Sequence, residues 1–411
     1  MDEIAQLAEA LQLQNDKAVS SDPLTKLSLS VVEAFIKSHR VMCYGGTAIN
    51  NLLPPEDRFY DPEYDVPDYD FFSKTPQEHA MTLANQLFEA GIQNVEVKPG
   101  IHLGTFKVFA DFAGVADITE LEEDIFERLW EADVTKNGIH YVTPNFLRMS
   151  MYLELSRPRG DVSRWTKVYD RLIRLNKHYP IVCREDSAVR HEKLPADMKA
   201  KVKTLLKQHK AILLGVTAAE IHLKEEWTTP VMLLMERDDI EKITKGRTVD
   251  VDEGTEILPP RHTIYESDGK SYLRLYETTA CHSYHVTPDG IHVASIPTIL
   301  QFFFAYIYSS ATKENTESIL CIAQRLMDIA HSKPKRRFEL LTPVDCFGKQ
   351  ETLVDIRKAK ASLYEELSKD KSSPAFLQYF FAYSPQMPKT QRKRIRQQLR
   401  KTRRVRSGMT A

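Results

Sequence analysis

Asp68 and Asp70 flank Tyr69 in the run DYDFFS, whose alternation predicts a β-strand. A period of two puts both carboxylates on one face of that strand. Two like charges held so close repel unless a cation lies between them. Hard divalent ions such as Mg²⁺ suit the position, because they take oxygen ligands from one or two carboxylates together with substrate phosphates. A third carboxylate is expected from the strands that follow. Asp117 in VADIT is preferred, because it lies between Ala116 and Ile118, where a charge is costly without a metal; Asp111 in VFADF is the alternate.

Upstream, the apolar run Val41 to Tyr44 reads as a buried strand, Gly45 and Gly46 as a turn, and TAINNLL as the start of a helix. The bare backbone of two glycines can approach a phosphate chain closely, and the helix N-terminus adds partial positive charge. Thr47 could add a hydroxyl. D-x-D and Gly-Gly are each common on ordinary turns. Strand, Gly-Gly, helix, D-x-D strand and a further strand aspartate, in that order, make a far more specific signal.

That order resembles the nucleotidyltransferases of the DNA polymerase β type, with their G-G-[ST], D-x-D and single Asp. Within that superfamily, YGGTAINNLLP, PDYDFFS, VADITEL and LELSRPRGDVSRWTKVYDRL look like the poly(A) polymerase catalytic subunit of poxviruses and, more closely, of giant DNA viruses. The resemblance covers the first 180 residues by motif and the remainder only in general layout. It implies an α/β (α+β) fold: a nucleotidyltransferase domain with a mixed sheet flanked by helices, then a second, degenerate one. It implies template-independent addition of AMP from ATP to RNA 3′ ends. Asp68, Asp70 and Asp117 would hold two Mg²⁺ (or Mn²⁺) ions, and Gly45, Gly46 and Thr47 would bind phosphate oxygens. Arg157, Arg164 and Lys167 are candidates for the triphosphate, with Lys167 foremost; a solvated helix face is the plain reading of the other two. Trp165 reads as a packing residue. A homodimer is the implied state, a processivity subunit a further partner, and the infected host cell's cytoplasm or the virion the location. One departure is that 21 residues separate Gly46 from Asp68, so the loop 54–67 must be an excursion. Rival readings are a nucleotidyltransferase with another acceptor (tRNA CCA ends, 2′,5′-linked oligoadenylate or a protein) and an inactive RNA-binding scaffold.

The elements that must position these residues are well punctuated. Asp22 and Pro23 start a helix with Leu24, Leu27, Val31 and Phe35 along one face, and Thr75, Pro76 and Glu78 form a capping box for a helix closing at Gly91. Strands follow in NVEVK, TFKVFADF and VADITEL, then helices from Pro144 to about Tyr179. A polar join beginning near Arg184 leads to a helix near 197–209, strand-like AILLGV, SYLRLYE and HVTPDGIHVAS, and helices after Pro297 and Asn315. The expected domains are 1–183, catalytic; 184–388, non-catalytic; and 389–411, a disordered basic tail. VMCYGGTAINNLL at 41–53 can be laid over AILLGVTAAEIHL at 211–223, which raises a duplicated fold.

Composition bounds the rest. With 411 residues, 42% hydrophobic and 27% charged, the chain supports two to three domains and excludes wholesale disorder. The five cysteines are scattered and lack a C-x-x-C pair, which argues against a disulfide framework and for a reducing, intracellular compartment. No apolar stretch approaches a membrane span. Residues 389–411 hold ten of the 56 Lys and Arg and no acid, leaving 46 basic against 57 acidic residues in the body. RNA affinity should then come from local basic grooves, the tail, or both. Cys281, His282, His285 and His292 have a spacing that suggests zinc but fall in alternating strands; Asp250 and Asp252 read as a solvated loop. PTILQFFFAYIYSS and PAFLQYFFAY read as core or interface helices.

Overall fold

The structure, a computed structural model, describes residues 2–184, 192–265, 269, 271–278, 280–309, 316–332 and 345–409. Part of the expected join, residues 185–191, lies outside them. The chain divides into two compact units, Met1–Thr143 with Thr352–Ala411, and Pro144–Glu351.

Unit 1 opens with helices α1 (Asp2–Ser21) and α2 (Pro23–Ser38). The Asp22 side chain caps α2 through the Thr25 amide at 2.8 Å, as the sequence suggests. The buried face is turned from the expected one: Ser28, Val32, Phe35 and Ile36 point inward, while Leu24 is exposed. Then come β1 (Met42–Tyr44), α3 (Gly45–Leu52), β2 (Tyr69–Ser73), α4 (Pro76–Glu89), β3 (Val95–Pro99), β4 (Thr105–Ala110) and β5 (Ala113–Glu120), followed by α5 (Glu123–Glu131), β6 (Val134–Lys136) and β7 (Ile139–Tyr141). Thr75 makes no side-chain cap to α4; the Thr75 amide instead donates to Ser73 Oγ. The sheet order is β3-β4-β5-β2-β1-β7-β6, with β2 antiparallel to β1 and parallel to β5.

Unit 2 comprises α6 (Pro144–Leu155), α7 (Trp165–His178), α8 (Ala196–Gln208), β8 (Ala211–Leu214), α9 (Gly215–Leu223), β9 (Val231–Met235), α10 (Arg237–Thr244), β10 (Val249–Asp252), β11 (Arg261–Tyr265) and β12 (Ser271–Glu277), then β13 (His282–Val286), β14 (His292–Ala294), α11 (Ile296–Tyr308), α12 (Thr316–Ser332) and β15 (Cys346–Phe347). Its sheet order, β10-β11-β12-β9-β8-β14-β13-β15, repeats that of unit 1 strand for strand, with β15 added. The sequence echo is therefore a repeat of structure. Gly45 and Gly215 both take positive φ, +73° and +68°, after an extended residue, and each opens a helix.

Three expectations are corrected. The boundary at 183/184 moves to 143/144, because α6 packs within unit 2: Phe146 and Tyr152 meet Tyr308 and Phe304 of α11 with ring centroids 5.4 and 6.1 Å apart. The chain also returns to unit 1 as α13 (Leu353–Leu367), α14 (Pro374–Phe380) and α15 (Lys389–Met409), pinned by paired backbone hydrogen bonds between Tyr383 and Val97. The tail is thus a helix, because Ile395 and Leu399, four residues apart, give it an apolar face to bury. Finally, Cys183 pairs with Cys321 and Cys281 with Cys346, leaving Cys43 free and buried. Separations of 138 and 65 residues gave no spacing signal for either bond. Asp250 and Asp252 lie on an edge strand, where Asp252 faces Arg261 at 3.7 Å.

Candidate active site

β1, β2, β5 and β4 lie side by side, and their register brings the acids together. Asp70 pairs with Tyr44 on one side and with Asp117 on the other, and Asp117 pairs with Lys107. Residues paired across strands share a face, so Tyr44, Asp70, Asp117 and Lys107 form one row. Asp68, two residues before Asp70, continues the same face. Behind it, Phe71 packs against Phe35 of α2 with centroids 6.0 Å apart, so the rear of the sheet is apolar and the front polar.

Gly45 is fitted to this row. A β-carbon there would come within 2.5 Å of Asp70 Oδ2, and φ is +73°, so glycine satisfies both the backbone and the close approach. Thr47, buried in the first turn of α3, donates its hydroxyl to the Asp68 carbonyl at 2.7 Å. That bond ties the glycine turn to the start of β2. It also gives the Thr47 proton a partner other than the phosphate oxygen expected of it. Tyr44 stacks on Phe72 at 4.0 Å, and its hydroxyl meets Thr119, which in turn meets Thr105 at 3.0 Å.

The electrostatics agree with the register. Burial pushes the Tyr44 hydroxyl pKa well up, with the Asp70 charge next and smaller contributions from Asp117 and Asp68. Asp68 is also raised above the ordinary carboxylate range, first by the protein packed around its carboxyl and then by Asp117, with Lys107 opposing. Lys107 forms an ion pair with Asp117. The sequence reading missed it, although TFKVFA alternates so that Thr105 and Lys107 share the polar face. Asp111 is elsewhere: with Phe112 it forms the two-residue β4–β5 turn, at φ +48° and +66°, and it accepts a bond from Asn94.

As hard oxygen donors on one face, the three acids suit a divalent cation, and their mutual repulsion favours one. Among the described residues no three His, Cys, Asp or Glu side chains are gathered closely enough to hold a metal as they stand; Asp117 is turned to Lys107.

Arg157, Arg164 and Lys167 belong to unit 2, where they gather around Glu154. Arg164 pairs with it at 3.1 Å, Arg157 and Lys167 interact with it electrostatically, and Trp165 donates to its carbonyl at 3.1 Å. Burial lowers the Arg157 pKa. In the repeated sheet, Met232 takes the place of Asp70 and Arg274 that of Asp117, by the same register. There α11 covers the face, with Tyr306 donating to Met232 Sδ at 3.5 Å and Phe302 against Tyr276. Cys281 is bonded to Cys346, and among the described residues no metal group forms around His282, His285 and His292.

The fold is shared by a solved structure. The crystal structure of the Megavirus polyadenylate synthase superposes on 97% of this chain and 88% of its own, with a TM-score of 0.81 at 18% identity. Residues 30–161 match the model of the poly(A) polymerase catalytic subunit family, so the resemblance read from the motifs holds over that segment. The chain is 32% identical over 157 residues to a protein of Acanthamoeba polyphaga mimivirus assigned as a poly(A) polymerase catalytic subunit, covering 37% of this chain and 26% of that protein. It is also 32% identical over 176 residues to the corresponding African swine fever virus protein, covering 41% and 37%. The matched segment thus spans about a quarter of the first relative and over a third of the second. No helix among the described residues is long and apolar enough to cross a membrane.

Proposed function

We propose that the chain is a template-independent poly(A) polymerase: the RNA 3′-oxygen attacks the α-phosphorus of ATP, the bond to pyrophosphate breaks, and the hydroxyl proton is released to solvent. The observation that carries this is the pairing of Asp70 with Asp117 beside the Gly45 turn. Asp68, Asp70 and Asp117 would hold Mg²⁺ or Mn²⁺, which when bound neutralises triphosphate charge and acidifies the attacking hydroxyl. The backbone at Gly45 and Gly46 receives phosphate oxygens at the mouth of α3. Thr47 holds β2 against that turn. Arg157, Arg164 and Lys167 are proposed for the triphosphate, Lys167 first. RNA and ATP are the substrates of this reading, a homodimer its working state, and the host cytoplasm or the virion its location. Incubating the protein with oligo(A), ATP and Mg²⁺ should lengthen the primer. Asp68→Ala with Asp70→Ala should abolish extension, and extension by that variant would refute the reading.

A further inference from the structure

Among its described side chains, the C-terminal helix buries Ile395 and Leu399 and shows solvent a row of cations. Ile395 and Leu399 are 9% and 6% exposed, and Arg396, Leu399 and Arg400 line a cleft with Glu78, Met81, Thr82 and Asn85 of α4, so one carboxylate shares the cleft with two of the cations. Lys389, Lys393, Arg396 and Arg400 are exposed and recur at i, i+4, i+7 and i+11. At 3.6 residues per turn these four fall in one stripe about 16 Å long, beside the docked face. Arg394, also exposed, points off the stripe. A regular line of positive charge on a docked helix matches a linear polyanion in a way that a flexible tail does not.

The geometry points to this stripe as a binding rail for the phosphate backbone of single-stranded RNA. An anionic membrane fits it less well. A membrane-surface helix needs apolar residues free to enter the acyl boundary, and among the described side chains of α15 Ile395 and Leu399 are already buried. The rail reads charge and no sequence, so it would hold any acceptor and its growing tail alike. The proposal rests on the polyadenylation reading for the identity of the polyanion.

The test measures binding of labelled oligo(A) to the full chain, without ATP or divalent metal, between about 50 and 200 mM salt. Replacing Lys389, Lys393, Arg396 and Arg400 together by Gln should weaken binding and reduce the slope of log K against log salt by about 0.7 per lost contact, or about 3 in all. Arg394→Gln should leave the slope nearly unchanged. An unaltered slope in the fourfold variant would overturn the proposal. So would an equal effect per residue from Arg394→Gln, or loss of binding to phosphatidylserine vesicles with RNA affinity intact. Because no turnover is read, the two proposals fail separately: a protein that cannot extend a primer refutes the polymerase, and one that extends it but keeps its slope refutes the rail.

Discussion

Gly45 and Asp70 interlock: the space a side chain would need at the turn is filled by the carboxylate, with Oδ2 2.5 Å from where a β-carbon would stand. The glycine turn and the acid strand are therefore one structure. Gly45→Ala should cost about 1–2 kcal/mol through its left-handed backbone. It should also displace Asp70, lowering kcat on the order of 10²-fold, as small misplacements at reacting centres do. Steady-state extension rates and thermal denaturation check this.

Thr47 couples the same two parts through its bond to the Asp68 carbonyl. Thr47→Val leaves that acceptor without its donor, at a cost of about 1–3 kcal/mol. Thr47→Ser restores the hydroxyl and should recover most of both stability and rate.

Lys107 gives Asp117 a counter-charge within the protein. Lys107→Met should lower the melting temperature in EDTA, because the carboxylates then repel without relief. It should also enlarge the upward shift produced by Mn²⁺, since the ion no longer competes with the ammonium. Equal shifts in wild type and variant would contradict this.

Unit 2 should be acid-sensitive. Burial holds the His282 pKa down to about 3, with Arg157 adding to the effect, and burial holds His222 down to about 4, each from an ordinary 6.5. The unfolded chain then binds protons that the folded one refuses, so stability falls as pH drops below 6.5. The loss is about 1.4 kcal/mol per pH unit for each group until its folded value is reached. His282→Gln should flatten the decline of the denaturation midpoint between pH 6.5 and 4, and an unchanged decline would exclude His282 as its source.

The local geometry was legible wherever it depended on neighbours in sequence. Gly45 needs positive φ, Asp68 and Asp70 share a face by the period of two, and Asp22 caps its helix, all within a few residues. Asp117 stands between apolar neighbours in the sequence, and the register pairs it with Asp70. Features that depend on distant partners were not legible. Lys107 meets Asp117 only through the register of a hairpin whose Asp111–Phe112 turn is not a common turn sequence. The cysteines pair across 138 and 65 residues. The amphipathic pattern of α6 states that it must bury a face but not that α11 receives it, and the ten charges of the tail hid the two residues, Ile395 and Leu399, that dock it.

On the polymerase reading, Asp70 and Asp117 act together on one phosphoryl centre. Single-turnover extension of oligo(A) by Asp70→Asn, Asp117→Asn and the double variant tests it directly. Each single substitution should remove nearly all activity, with the double variant little worse than either, as for groups that work as a unit. Substantial extension by Asp117→Asn, or independent multiplicative losses, would contradict the account.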